Sequence, residues 1–173
     1  MMAPTLETER LLLRAHRLRD FDAVAETWAS PDVYRYIGGQ PSTREQSWAR
    51  MVRLPGLWAL LGYGYWALEE KTTGKFVGEV GFADFKRDLT PSIEGVPEHG
   101  WVLAPAAHGK GYATEAVMAT LAWLARHTSH SQCVCIISPE NAASIRVAEK
   151  VGYREEVRTT YHDAPTILFR RGA

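Results

Sequence analysis

The sequence is poor in cysteine, has no long apolar run and has no excess of charge of either sign. Cys133 and Cys135 are its only two cysteines. Two residues apart in a β-rich stretch, they point to the same strand face, where a disulfide joining them would be strained. No His or further Cys stands beside them to complete a zinc site. Both are expected reduced and buried, as in a cytoplasmic protein. No apolar stretch approaches the ~20 residues of a membrane-spanning helix. The opening Met1-Met2-Ala3-Pro4-Thr5-Leu6-Glu7 lacks a basic segment followed by an apolar one, so a secretory leader is not expected. Twenty basic residues balance twenty acidic ones. That balance removes the general electrostatic case for a nucleic-acid or anionic-membrane partner. There is no internal repeat, low-complexity segment or linker, and 173 residues suit one domain, 1–173, with a core of its own.

What is present is a regular alternation of patterns. Arg10-Leu11-Leu12-Leu13-Arg14 predicts a first strand. Asp20 is positioned to cap a helix carrying Phe21, Val24, Ala25 and Trp28 at helical spacing, and Ser30-Pro31-Asp32 ends it. Ser42-Thr43-Arg44-Glu45 matches a capping box and opens a second helix with Trp48, Met51 and Val52 on one face, broken or kinked at Pro55-Gly56. The period then changes. Tyr65–Glu69 and Phe76–Phe82 read as a hairpin around Thr72-Thr73-Gly74-Lys75. A polar loop from Lys86 to Pro97, expected at a mobile edge, leads to a strand at Glu98–Leu103. Ala113–His127 is an amphipathic helix with Val117, Leu121 and Leu124 inward. Gln132–Ile137 reads as a central strand. Asn141 caps a helix over Ala142–Lys150, ended by Gly152. Two last strands, about Tyr153–Tyr161 and Thr166–Arg170, complete an α/β chain with a mixed sheet.

The stretch with the clearest chemistry is His108-Gly109-Lys110-Gly111-Tyr112-Ala113-Thr114-Glu115-Ala116, between a strand and a long helix. Its two glycines remove side chains that would hold a ligand off the backbone, and they allow φ > 0 in a tight turn. The helix start adds unpaired N–H groups and a partial positive charge. Such a turn suits an anion, most often a phosphate. The spacing is neither a Walker loop nor a dinucleotide fingerprint.

This turn and a second motif, Asn141-Ala142-Ala143-Ser144-Ile145-Arg146-Val147-Ala148-Glu149-Lys150-Val151-Gly152-Tyr153, together resemble the GNAT (GCN5-related N-acetyltransferase) superfamily. The start, Leu6-Glu7-Thr8-Glu9-Arg10-Leu11-Leu12-Leu13-Arg14, with Gly78-Glu79-Val80-Gly81-Phe82 and Gly100-Trp101-Val102-Leu103, is similar to the branch of the ribosomal-protein N-terminal acetyltransferases RimJ and RimL. The resemblance implies a mixed, mostly antiparallel central sheet with splayed parallel central strands and about four flanking helices. It also implies an N-acetyltransferase that uses acetyl-CoA, with no metal, and acts by direct attack of a primary amine in a ternary complex. The amine could be a peptide N-terminus or a small molecule, since the branch contains both kinds. The family's phosphate motif begins with Arg or Gln, where this chain has Ala106. A non-catalytic acyl-CoA-binding or regulatory domain is the alternative, and a monomer and a homodimer fit equally well.

On this resemblance the backbone N–H groups of Gly109, Lys110, Gly111, Tyr112, Ala113 and Thr114, with His108 beside them, would hold the CoA pyrophosphate. Backbone groups of Trp101, Val102 and Leu103 would pair with the pantetheine arm, and an N–H around Val102 or Leu103 would polarise the thioester carbonyl. Lys110 could add charge or be a solvated lysine. Asn141 could contact the pantetheine, cap its helix, or both. Many superfamily members place a general-acid tyrosine where this chain has Ala148. Ser144, one turn earlier, could instead hydrogen-bond the leaving thiolate, or be a small residue at a close contact. The candidate bases rank Glu98, then Glu79, then His99, with Glu98 and His99 on opposite strand faces. Trp28, Tyr36, Trp58 and Trp66 would line an acceptor pocket or pack in the core.

Overall fold

The computed structural model describes residues 2–172. Among them eight strands form one sheet in the order β1-β2-β3-β4-β5-β6-β8-β7. The strands are β1 (Leu6–Glu7), β2 (Leu11–Arg14), β3 (Tyr65–Glu70), β4 (Phe76–Ala83), β5 (Glu98–Leu103), β6 (Gln132–Ile137), β7 (Arg154–Tyr161) and β8 (Ala164–Gly172). The helices are α1 (Phe21–Ala29), α2 (Pro31–Tyr34), α3 (Arg44–Leu61), α4 (Tyr112–His127) and α5 (Ala142–Lys150). Every pairing is antiparallel except β5 with β6, which run parallel and pair at the single position Glu98↔Val134. Beyond it the two strands splay apart. The mixed, mostly antiparallel sheet expected from the sequence is present, with five helices instead of four. The additional one is the four-residue α2, begun by Pro31 at its first position.

Three apolar clusters hold the layers. The main one packs α4, through Ala116, Val117, Leu121 and Leu124, with Ala148 of α5 against Leu13, Trp66, Val80 and Phe82 of the sheet. Trp58, Trp66 and Trp123 meet there edge to face, their centroids 4.6–5.3 Å apart. A second cluster joins α1, α2 and α3 through Val24, Trp28, Val33 and Met51. The third seats Leu89 and Ile93 on Val134 and Leu168. The 86–97 loop therefore lies anchored over β6 and β8 by two buried apolar side chains.

Three local expectations are corrected. The capping box of α3 sits one residue later than read: Thr43 Oγ1 accepts from Gln46 N at 3.1 Å, and Gln46 Oε1 accepts from Thr43 N at 2.9 Å. The helix runs on through Pro55, and its buried stripe is Ser47, Met51, Leu54 and Trp58, while Trp48 and Val52 face outward. Asp20 does not cap α1 with its side chain. Its carboxylate is instead forked to Arg14, at 2.7 and 2.9 Å, with both side chains buried. Cys133 and Cys135 are free and buried, as expected.

Candidate active site

The site grows from the splay. Val134 N donates to Pro97 O at 3.0 Å on the β6 side, whereas Ala104 N donates to Val77 O at 2.9 Å on the β4 side. Backbone polar groups alternate along a strand. Those of Trp101 and Leu103 therefore face the opening, and those of Val102 pair back to Glu79 of β4. The backbone of Trp101 and Leu103 is thus turned to the opening, and that of Val102 is not. The Leu103 carbonyl is occupied as well, since His108 Nε2 donates to it at 2.9 Å. His108 closes the end of β5 instead of pointing to an anion.

At the end of β5 the chain turns through Gly109 (φ +73°) and Gly111 (φ +80°), where left-handed backbone favours glycine. Gly111 is the N-cap of α4. Among the described residues, the N–H groups of Gly109, Lys110, Gly111, Tyr112, Ala113 and Thr114 find no backbone partner. A Cβ on Gly109 would meet nothing within 4 Å, so the turn is open to its surroundings. Arg10 braces the turn from behind: Nη1 donates to Lys110 O at 2.7 Å, and Nε donates to Glu115 Oε2 at 2.7 Å. Lys110 Nζ lies 3.7 Å from Glu70 Oε1, so its charge is partly matched inside the protein. The Tyr112 ring is buried and its hydroxyl donates to Glu70.

Asn141 caps α5, with Oδ1 accepting from Ser144 N at 3.1 Å. Asn141 and Ser144 both line a cleft of about 930 Å³ that opens from the splay. Ala148 is wholly buried in the main core and offers the cleft nothing.

The cleft floor is one face of β4 and β5, where the paired positions are Glu79↔Val102, Gly81↔Gly100 and Ala83↔Glu98. The Tyr65 ring crosses over the glycine pair; a Cβ at Gly100 would collide with its hydroxyl. Burial pushes the Tyr65 phenol far up, with Glu98 and Glu79 adding to the effect, so it stays protonated. Glu98 is forked to Arg87, at 2.6 and 2.8 Å, and Arg87 also donates to Tyr161 Oη at 3.1 Å. Both oxygens of the first-ranked base are therefore held by a guanidinium. Glu79 accepts from Trp28 Nε1 at 3.0 Å and sits 3.1 Å from His16 Nε2, with no guanidinium fork. His99 is on the other face, in the α4 core. Its Nδ1 meets Tyr153 Oη and its Nε2 meets Thr120 Oγ1, both at 2.9 Å, and burial pushes its pKa down to about 3. The residue borders the cleft at the splay, but both ring nitrogens are taken by core partners.

Of the four aromatic candidates, Trp28 and Tyr36 line the cleft, while Trp58 and Trp66 belong to the core. The sequence reading missed Arg35, Arg50, Arg53, Arg87 and His16. Arg50 and Arg53 share a helical face with buried Leu54, a spacing that was legible. Arg87 stands in a polar loop, and its return to Glu98 had no local signal. Among the described residues, no group of three or more His, Cys, Asp or Glu side chains is placed to hold a metal ion.

A family model described as an acetyltransferase (GNAT) domain matches residues 10–154. The chain belongs to the GNAT acetyltransferase family. As a GNAT enzyme it takes its acetyl group from acetyl-CoA. It is 31% identical over 172 residues to the uncharacterized protein YkkB of Bacillus subtilis, covering 96% of this chain and 94% of that one. To the uncharacterized N-acetyltransferase p20 of Bacillus licheniformis it is 28% identical over 153 residues, covering 88% and 83%. A solved acetyltransferase from Agrobacterium tumefaciens superposes with a TM-score of 0.85 at 28% identity, covering 100% of this chain and 96% of that one. No helix among the described residues is long and apolar enough to cross a membrane.

Proposed function

We propose that this chain, acting as a single domain, acetylates a primary amine by direct attack on acetyl-CoA in a ternary complex, and that it lies near the RimJ/RimL branch of its family. The observation that carries this reading is the run of six N–H groups, Gly109 to Thr114, left without backbone partners at the end of the splayed strand. Backbone donors at a helix start suit a pyrophosphate. The edge groups of Trp101 and Leu103 lead from that turn toward the cleft, and a backbone N–H of this edge would polarise the thioester carbonyl. Glu79 is the better placed proton acceptor, directly or through water, because Glu98 is neutralised by Arg87. The amine nitrogen forms the new C–N bond as the C–S bond breaks. The ammonium proton leaves toward Glu79, and the departing thiolate takes a proton from Ser144 or from solvent reached through it.

The Gly111→Glu variant tests the donor site. A carboxylate in the cradle and a side chain at φ +80° should weaken acetyl-CoA binding by about 100-fold, roughly 2.8 kcal/mol. Calorimetry on the folded variant checks this, and unchanged affinity would refute the cradle. A protein that binds acetyl-CoA yet releases no thiol with any amine would instead be a binding module, the reading that the absent hydroxyl at Ala148 favours.

A further inference from the structure

We propose that the acceptor is an amine that also carries a carboxylate, held by the guanidinium groups of Arg50 and Arg53 on the α3 wall of the cleft. The inference rests on the acetyl-transfer reading above and adds the substrate class.

Arg50 and Arg53 stand three residues apart, so both reach the same side of α3, and both line the cleft. Arg50 lies flat on Trp28, its guanidinium carbon 3.7 Å from the ring centroid. Its Nε is buried and makes no hydrogen bond. Leaving a buried donor of a charged group unpaired is costly, so this guanidinium is short of partners within the protein. Arg53 is exposed, has no carboxylate within ion-pair distance among the described residues, and approaches Phe85, 5.5 Å from the ring centroid.

The carboxylates of the cleft do not fill this vacancy. Glu98 is taken by Arg87, Glu79 is held by Trp28 and His16, and Glu140, which also lines the cleft, is in ion-pair distance of neither Arg50 nor Arg53. Burial makes the charged form of Arg50 harder to keep; Glu79 offsets part of that, and Arg53 and Arg87 add to it. Four guanidinium groups, Arg35, Arg50, Arg53 and Arg87, therefore line the cleft with three carboxylates, Glu79, Glu98 and Glu140, of which Glu98 alone is paired to one of them. A polycationic acceptor would meet that wall with like charge, whereas a carboxylate would form the forked contacts that guanidinium groups favour. Glu79, on the adjoining floor, is left to receive the amine end.

The test compares acceptor pairs by thiol release: an α-amino acid against its amide, and a short peptide with Asp or Glu at its second position against the Asn or Gln version. A diamine completes the set. Each carboxylate should exceed its carboxamide in kcat/KM by about 10-fold or more, and the first pair against the second tells a free amino acid from a peptide. In Arg50→Gln and in the exposed Arg53→Gln, that ratio should collapse toward unity while the calorimetric affinity for acetyl-CoA, which reports an intact fold, is kept. A carboxamide or diamine turned over as well as the carboxylate would overturn the inference and leave acetyl transfer standing. So would acetyl-CoA binding without turnover of any carboxylate. Failure of the wild type to bind acetyl-CoA would overturn the reading beneath it.

Discussion

Lowering the pH from 7 to 5 should cost this protein about 2 kcal/mol of stability through His99 alone. The residue is 2% exposed and stacks on Phe82 with centroids 4.0 Å apart. Its hydrogen bonds assign the tautomer. Thr120 Oγ1 is within 3.1 Å of the Ala116 and Val117 carbonyls, to which its proton goes, so it accepts from Nε2–H. Nδ1 is then the acceptor for Tyr153 Oη–H, and the Cys133 thiol donates to the same Tyr153 oxygen. A second ring proton would confront a donor inside the core. Burial, helped by Arg171, accordingly takes the pKa down to about 3, against about 6.5 in the unfolded chain. The sign follows: the unfolded state takes up a proton that the folded state refuses. Stability from this group is therefore complete above pH 6.5 and is lost as the pH falls from there toward 3. At pH 5 the unfolded form is favoured about 30-fold by this proton, which corresponds to a fall of roughly 4–8 °C in Tm for a chain of this size. Urea unfolding of wild type and His99→Gln at the two pH values checks it. The variant should be weaker at pH 7 by about 1–3 kcal/mol, for lost hydrogen bonds, yet lose about 2 kcal/mol less on acidification. Equal losses in both proteins, or an imidazole that titrates near 6.5 by NMR in the folded state, would refute the assignment.

Ser144→Ala should lower kcat by roughly 10²-fold while leaving the affinity for acetyl-CoA unchanged, measured by thiol release and calorimetry; full activity would remove Ser144 from the proton path. Asp20→Ala should cost about 3 kcal/mol in urea unfolding, because it strips one carboxylate from a buried guanidinium. Burial alone would push the Asp20 carboxyl up, but hydrogen bonds from Arg14 and the Arg17 N–H outweigh it and hold it below its ordinary value. Its contribution should therefore be present above about pH 4 and lost as the pH falls below that, whereas Asp20→Ala should show no such loss from this position.

Much of the donor side was readable from local pattern. The Gly109-Lys110-Gly111 turn, the Asn141 cap and the strand–helix order depend on backbone conformation and on hydrogen bonds between near neighbours, which short spans of sequence encode. The misreadings at α3 and Asp20 share a different cause. Two capping solutions lay one residue apart at Ser42 and Thr43. Asp20 had a distant competitor in Arg14 that a local pattern does not show. Tertiary packing likewise turned Trp48 and Val52 outward and Ser47 inward.

The sequence by itself determined the α/β class, the family and the place of the glycine turn before α4, because strand and helix periodicity and glycine turns are set by neighbours in the chain. The tertiary structure alone decided that Glu98 is held by a guanidinium while Glu79 is not, and which cations are unpaired among the described residues. Arg87 reaches Glu98 from eleven residues away, His16 reaches Glu79 from sixty-three, and Arg50 stands over Trp28 with its Nε unpaired among the described residues. Charge pairing depends on through-space distance and desolvation, and both exist only once the sheet and helices have closed around the cleft.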